Sequence, residues 1–185
     1  KGTNWNDFLE LNRMAFSDAL PRNSESRAIS IAMRMLKKHA PHVQWVISFA
    51  DGAQCGDGAI YRASGFMLTG IKKNDQIWEA PQGARESRTS LTDNHCRGQK
   101  AAALRLSRVT ATKGNHIKES GGATMKHYID AGFRPIPGFQ LRYIFFIDPT
   151  ARQRLTVPII PFTEIERQGA GMYKGQKRAG SADSG

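Results

Sequence analysis

The sequence predicts an α/β chain, α+β in its layering, in which one mixed sheet carries helices on both faces and a basic insertion interrupts the strand order. Three observations predict it. Strand-like, amphipathic and again strand-like runs follow one another over residues 8–50. Further apolar strand-like runs stand at 66–73 and 139–149. Between them, cations crowd residues 85–118.

The first strand, begun by Phe8-Leu9 and Leu11, is expected to end near Ala15-Phe16. A helix over 24–40 follows. Ile29, Ala32, Leu36 and Ala40 form its apolar stripe at spacings of three and four, with Ile31 and Met35 widening it. Lys37, Lys38 and His39 fill the last turn, where cations suit the negative end of the helix dipole, and Pro41 stops it. The run VQWVISFAD (43–51) is almost continuously apolar, which predicts a strand buried on both faces. The crossover between these strands is long enough to make them parallel neighbours.

A glycine-rich loop and a short helix closed by Gly65 lead to the strand at 66–73. Residues 76–93 read as a hairpin turning at Pro81-Gln82-Gly83, residues 98–109 as a basic helix, and residues 125–133 as another short one. An aromatic strand at 139–149 precedes RLTVPIIPFTEI, whose two prolines restrict it to an edge or a loop. From Arg167 onward, small, polar and basic residues predict a disordered tail. The domain reading is one domain over 1–165, with the insertion at 74–124, and a flexible basic tail at 166–185.

Of the 185 residues, 39% are hydrophobic, enough for a core, while 18 glycines and a mean hydropathy of −0.49 imply much loop. A formal net charge of +11 and a pI near 10.1 favour a polyanionic partner, nucleic acid first. No apolar run approaches the roughly 20 residues of a membrane span. No secretory leader pattern is present either. The expectation is therefore a cytoplasmic protein without a membrane partner. Two cysteines, Cys55 and Cys96, are too few for a disulfide framework and lack a paired-cysteine metal spacing. The chain begins at Lys1 rather than Met, and an upstream segment is expected.

The helix start invites a chemical reading. Small residues at Ser24, Ser26 and Ala28 leave the first amide groups approachable, and Arg22 and Arg27 add charge. Such a terminus is a ready anion site. An ordinary capped helix, with Asn23 or Ser24 as the cap, explains the same residues.

With its flanks, this segment resembles the cofactor-binding half of the GNAT acyltransferase superfamily. The superfamily's pyrophosphate loop runs Gln/Arg-x-x-Gly-x-Gly/Ala. Here Asn23-Ser24-Glu25-Ser26-Arg27-Ala28 stands in its place, departing at Asn23 and Ser26. IYRASGF (60–66) is similar to the superfamily's aromatic-Tyr-x-x-x-Gly-Phe run. More closely, ELNRMAFSDALPRNSESRA (10–28), SFADGAQCGDGAIYRASGF (48–66) and PGFQLRYIFFID (137–148) resemble the Mom DNA-modification proteins of Mu-type phages.

That resemblance implies a GNAT-like fold that places a carbamoylmethyl-type group on the N6 amino group of adenine in DNA, shielding phage DNA from restriction. It implies an acyl-CoA, with acetyl-CoA the suspected donor, and it implicates iron without naming ligands. Functional weight falls on Arg13, Asp51 and Tyr61, with Ser17 beside the same strand end. Tyr61 would stand near the thioester sulfur, where it can protonate a departing thiolate. Arg22, Asn23, Ser24, Ser26, Arg27 and Ala28 would contact the cofactor.

Each site residue also has a plainer account. Arg13 can pair on the surface, Asp51 can cap a turn and Tyr61 can simply pack its ring. Position favours the functional reading. Asp51 and Ser17 are expected to end neighbouring strands and to converge with Tyr61 on one cleft at the strands' carboxyl ends. A carboxylate there could take the proton of an adenine amino group. His39, His42, His95, His116 and His127 show no metal-ligand spacing, while Cys55 and Asp57 could touch a metal that no spacing demands. GNAT proteins carry a helix pair and three strands ahead of the phosphate-loop strand. Only about a dozen residues precede it here, so a sheet of roughly four or five strands with an exposed edge is expected.

In the insertion, Arg85, Arg88, Arg97, Lys100, Arg105, Arg108, Lys113 and Lys118 face only Glu86 and Asp93, and the interleaved hydroxyl residues suit phosphate oxygens. The first seven cations are the expected contacts to double-stranded DNA. A target adenine must leave the stack, and Trp78 and Tyr128 are candidate wedges, with core packing the alternative for both. Two other functions fit less of the pattern. One is an ordinary GNAT N-acetyltransferase acting on a small amine or a protein. The other is a non-catalytic basic DNA-binding protein.

Overall fold

The computed structural model describes residues 2–12, 14–17, 19–88, 91, 125–173 and 176–177. The basic helix expected at 98–109 and the far end of the tail lie outside the described residues. The chain divides into two compact units, residues 1–73 with 139–185, and residues 74–138.

In the first unit, a 3-10 turn at Trp5–Asp7 opens into strand β1 (Phe8–Glu10). Helix α1 (Ser24–His39), strand β2 (Trp45–Asp51), helix α2 (Ala59–Ala63) and strand β3 (Met67–Asn74) follow. The long strand β7 (Gly138–Phe146) returns between them, giving the sheet order β1-β2-β7-β3. β1 runs parallel to β2, with Phe8 opposite Trp45 and Glu10 opposite Ile47. β2 runs antiparallel to β7, from Trp45 opposite Phe146 to Asp51 opposite Gln140. The sheet is mixed and four-stranded, as expected.

Three local expectations need correcting. β1 stops at Glu10 rather than near Ala15-Phe16. The Leu11 amide still donates to the Ile47 carbonyl (2.8 Å), but the Ser48 hydroxyl takes the Leu11 carbonyl (2.7 Å) and the ladder ends there. β2 is buried on one face only. Val46, Ser48 and Ala50 are buried, whereas Phe49 is 38% exposed. Helix α1 covers that one face with a narrower stripe than expected. Ile29 and Met33 are buried, Leu36 and Ala40 pack beside them, and Ile31, Ala32 and Met35 face solvent. At roughly 100° per residue, Ile31 points about 200° from Ile29, and one sheet face needs only one line of residues.

The first core gathers Ile29, Met33, Val46, Leu68, Leu141 and Tyr143, with Leu68, Leu141 and Tyr143 fully buried. After β7, a 3-10 turn at Pro149–Arg154 is capped by Asp148, whose Oδ1 accepts from the Thr150 amide at 2.9 Å. The proline-bearing stretch beyond it is irregular, and the Ile160 amide donates to the Leu68 carbonyl at 2.8 Å. Helix α4 (Thr163–Arg167) follows. The disorder expected from Arg167 onward does not hold through Tyr173. Ala170 and Met172 are buried, and strand β8 (Met172–Tyr173) pairs with β9 (Gln176–Lys177). Composition hides this because two apolar residues suffice where Gly52 lets the Met172 side chain close on the backbone.

In the second unit, β4 (Ile77–Glu79) and β5 (Arg85–Ser87) form the expected hairpin. Gly83 (φ +85°) and the Ala80–Ala84 hydrogen bond close its turn. Helix α3 (Met125–Asp130) leads to β6 (Arg134–Pro135), and the order is β5-β4-β6. Trp78, Ala80, Leu91, Tyr128 and Phe133 make a second core, in which the Tyr128 hydroxyl donates to the Leu91 carbonyl at 2.7 Å. The packing alternative therefore holds for Trp78 and Tyr128, and neither is an exposed wedge. No helix among the described residues is long and apolar enough to cross a membrane.

Candidate functional site

The carboxyl end of β2 is shaped by Asp51. Its Oδ1 accepts from the Ala53 amide at 2.9 Å, and its carbonyl accepts from the Gln54 and Cys55 amides at 3.2 and 2.9 Å, so the chain turns at once. The loop then folds back over β7. The buried Tyr143 hydroxyl donates to the Asp57 carbonyl at 2.6 Å. Arg62 donates through Nη1 to that carbonyl (3.0 Å) and to Tyr143 Oη (3.2 Å), and through Nη2 to Asp57 Oδ1 (3.2 Å). Asp57 is 1% exposed, and the guanidinium supplies the opposite charge that burial of a carboxylate requires. The loop passes this close because residue 58 is glycine. Its φ is +80°, and a Cβ there would lie 2.8 Å from Tyr143 Cζ.

This network was not legible in the sequence; an Asp-Gly pair followed by an arginine in the next helix was its only trace. It fixes the start of α2, and α2 carries Tyr61. The Tyr61 ring is half-buried, with its centroid 5.4 Å from those of both Phe66 and Tyr143. Among the described residues its hydroxyl makes no hydrogen bond, so the ring is anchored and the oxygen remains available. The structure joins Asp57 to Arg62, whereas Cys55 in the same loop is exposed.

Tyr61 and Asp51 do not share a cleft. Strand alternation places Ser48 with Tyr143 and Ala50 with Leu141 on the α1 face, where Tyr61 packs. Asp51 with Gln140 ends the opposite face, in line with Phe49 and Arg142. The two candidates flank β2 from opposite sides. Ser17, expected at the end of β1, lies well beyond that strand in irregular chain, its Oγ accepting from the Ala19 amide at 3.3 Å. Arg13 lies outside the described residues.

β1 pairs with β2 only as far as Ile47. The register turns the Phe49 amide and carbonyl away from β7 toward the side that β1 has left, and neither has a partner among the described residues. Chain direction brings the α1 N-terminus to the same end of the sheet, because α1 returns between two parallel strands.

That terminus has no side-chain cap. Asn23 takes the left-handed conformation at φ 69°, and the Ser24 and Ser26 hydroxyls donate to the Pro21 and Asn23 carbonyls at 2.6 and 3.1 Å. The hydroxyls are thus turned inward. The amides of Glu25 and Ser26 are left without acceptors among the described residues, Ala28 adds no bulk, and Arg22 and Arg27 are exposed nearby. The arrangement suits an anion at the helix start and an amide-bearing chain along the β2 edge.

The profile of the Mom protein family matches residues 1–164. The chain belongs to the Mom protein family. Methylcarbamoylase Mom of Escherichia phage Mu is 52% identical over 64 residues, which is 34% of this chain. The matched stretch spans about a quarter (26%) of that relative's length.

The basic residues of the second unit are only partly placed. Arg85 Nε lies 3.4 Å from Glu79 Oε1, and Arg88 lies 4.0 Å from Asp75, all four on the surface. Arg97, Lys100, Arg105, Arg108 and Lys113 lie outside the described residues. No group of three or more His, Cys, Asp and Glu side chains that could hold a metal occurs among the described residues. The described residues therefore offer no ligand set that fits iron.

Proposed function

We propose that this protein is a GNAT-like, phage DNA-modification enzyme that places a carbamoylmethyl-type group on the N6 amino group of adenine in double-stranded DNA, protecting phage DNA from restriction. The observation that carries the reading is membership of the Mom family over residues 1–164, beside 52% identity to a protein named methylcarbamoylase. The geometry supports it through the run β1, α1, β2, α2, β3, in which β2 extends past the last residue of its parallel partner β1.

An acyl-CoA lying from the α1 start along the β2 edge would supply an activated two-carbon unit. The Glu25 and Ser26 amides, with Arg22 and Arg27, would hold its phosphates, and the free edge of Phe49 would pair with the amides of its arm. Tyr61 stands on the α1 face, where its hydroxyl can give a proton to a departing thiolate. Asp51 is the last residue of β2 on the other face, so its carboxylate would have to accept the N6 proton across the end of that strand. Arg62, Asp57 and Tyr143 hold the loop and α2 in place and so position Tyr61. Residues 74–124 would form a DNA-binding insertion in one domain over 1–165, with Arg85, Arg88 and the cations from Arg97 to Lys113 on the phosphate backbone. A carbamoylmethyl group is bonded to N6 through its methylene carbon and ends in an amide nitrogen. An acetyl unit would therefore require an oxidant that takes two electrons from its methyl carbon as the N6–C bond forms, and an amine donor that displaces the thiolate at its carbonyl.

The test is label transfer. The protein is incubated with duplex DNA and acetyl-CoA labelled in the acetyl carbons, in a bacterial cell extract that supplies an amine donor and an oxidant, and the nucleosides are separated. Label in a modified deoxyadenosine is the expected result. Label in protein amines instead would identify an ordinary GNAT N-acetyltransferase. Tight DNA binding with no transfer would identify a binding protein that lacks catalysis.

A further inference from the structure

The face of the main sheet opposite α1 carries an open groove of about 200 Å³. Trp45, Ile47, Ile144 and Phe146, two register pairs of β2 and β7, line it, with Val157 beside them. At one end stands Arg142. Its Nε donates to Thr69 Oγ1 at 3.1 Å and its Nη2 to the Thr69 carbonyl at 2.9 Å. The guanidinium lies over Gly70, where a Cβ would sit 3.5 Å from Nη2. No carboxylate pairs with Arg142 among the described residues. Arg154 adds a second cation to the lining, with Nη1 donating to the Gly2 carbonyl at 3.1 Å.

The aromatic surface continues past the groove. Trp45 stacks on Phe8 with centroids 4.5 Å apart and planes 9° from parallel, and Phe8 meets Trp5 edge-on at 5.5 Å. Trp5 is 84% exposed. Flat aromatic surface bordered by cations is what unpaired nucleic acid uses, with bases stacking and phosphates held by guanidinium groups. A half-buried guanidinium without a counter-ion beside an apolar floor gains most from a bound anion. A free phosphate would leave the floor unused, and a paired duplex presents no base face to it.

We propose that this groove seats one unpaired DNA nucleotide, its base against Trp45, Ile47, Ile144 and Phe146 and its phosphate on Arg142. The proposal rests on DNA as the substrate. On the same face, Asp51 lies two residues along β2 from Phe49, the register partner of Arg142, which is roughly 7 Å of strand. The groove would therefore hold a nucleotide neighbouring the one that meets Asp51, a task that the buried Trp78 and Tyr128 cannot perform.

The test measures anisotropy of a dye-labelled oligothymidine strand and of a fully paired duplex, over a salt series, with the whole chain. Arg142→Gln is expected to weaken the single strand about tenfold and to flatten its log–log salt slope by roughly 0.7, one phosphate's share. Val157→Trp, which fills the groove, is expected to lose the single strand to a similar extent with an unchanged melting temperature. Duplex affinity is expected to stay within about twofold for both variants. Unchanged single-strand affinity in either folded variant would overturn the proposal. So would an equal loss on the duplex, the mark of diffuse charge alone. Nucleoside analysis of the same proteins reads DNA modification separately. Single-strand binding at the groove without modification would leave the groove standing and remove the enzyme reading.

Discussion

Replacing Gly58 with alanine tests the packing on which the site depends. At φ +80°, an L-residue costs about 1 kcal/mol or more. The new methyl would also sit against the Tyr143 ring, 2.8 Å from Cζ, in a fully buried position. Overpacking of that kind costs about 1–3 kcal/mol. Moving the ring away would strain its bond to the Asp57 carbonyl, worth about 1 kcal/mol. Gly58→Ala should therefore destabilise the first unit by about 3 kcal/mol or more, a fall in melting temperature of roughly 6–12 °C. Gly65→Ala is the internal control. Its φ is +82°, but its nearest obstacle, Phe145 Cε2, is an ordinary 3.7 Å away. It should cost only about 1 kcal/mol, or roughly 2–4 °C. Urea and thermal denaturation of both variants, followed by circular dichroism, make the comparison. If the two differ by less than about 1 kcal/mol, the loop does not cross Tyr143 as described, and the positioning of Tyr61 through it fails.

Other predictions separate chemistry from packing. Tyr61→Phe should leave stability within about 0.5 kcal/mol, because the hydroxyl has no partner among the described residues, yet lower DNA modification on the order of a hundredfold in a nucleoside assay. Asp51→Asn keeps an oxygen for the Ala53 amide. Full retention of activity in that variant would reduce Asp51 to a turn cap, whereas loss with an unchanged melting curve supports proton acceptance. Arg62→Ala removes the guanidinium paired with the buried Asp57 carboxylate and should cost about 3 kcal/mol in urea denaturation.

The Asp148 carboxyl is held below its ordinary value of 3.8, chiefly by the Thr150 hydroxyl and amide, with Arg154 and Lys37 assisting. A depressed folded-state pKa contributes stability that is present above 3.8 and is lost as pH falls through the lower folded value. Thr150→Ala should move the carboxyl titration, followed by NMR, back toward 3.8.

Much of the fold could be read from periodicity. The α1 boundaries, the parallel β1–β2 pairing and the Pro81-Gln82-Gly83 turn follow from local signals: a stripe ended by Pro41, a crossover length and a Pro/Gly turn. What failed depended on tertiary context. The end of β1 is set by the Ser48 hydroxyl thirty-seven positions away, which no local pattern encodes. The continuous apolar run at 43–51 looks buried on both faces, yet one of them borders the open groove. Residues 168–173 look like tail because their apolar content is slight, and only the glycines around Met172 make it fit.

At the site, the sequence named Asp51 and Tyr61 but placed them in one cleft. The parity of β2 separates them, and counting from the buried Ser48 would have revealed it. Arg62, Asp57 and Tyr143 escaped notice because a single tyrosine in an aromatic strand reads as core. Its hydroxyl acquires meaning only when the loop folds over it.

The central claim is that DNA adenine is modified at the carboxyl end of β2, with Tyr61 and Asp51 taking part. Mass spectrometry of nucleosides from plasmid DNA in cells expressing the protein, with Tyr61→Phe and Asp51→Asn alongside, tests it most directly. The account predicts a heavier deoxyadenosine species that is strongly reduced in both variants while all three proteins stay folded. Equal amounts of that species in all three proteins, or unmodified deoxyadenosine throughout, would contradict it.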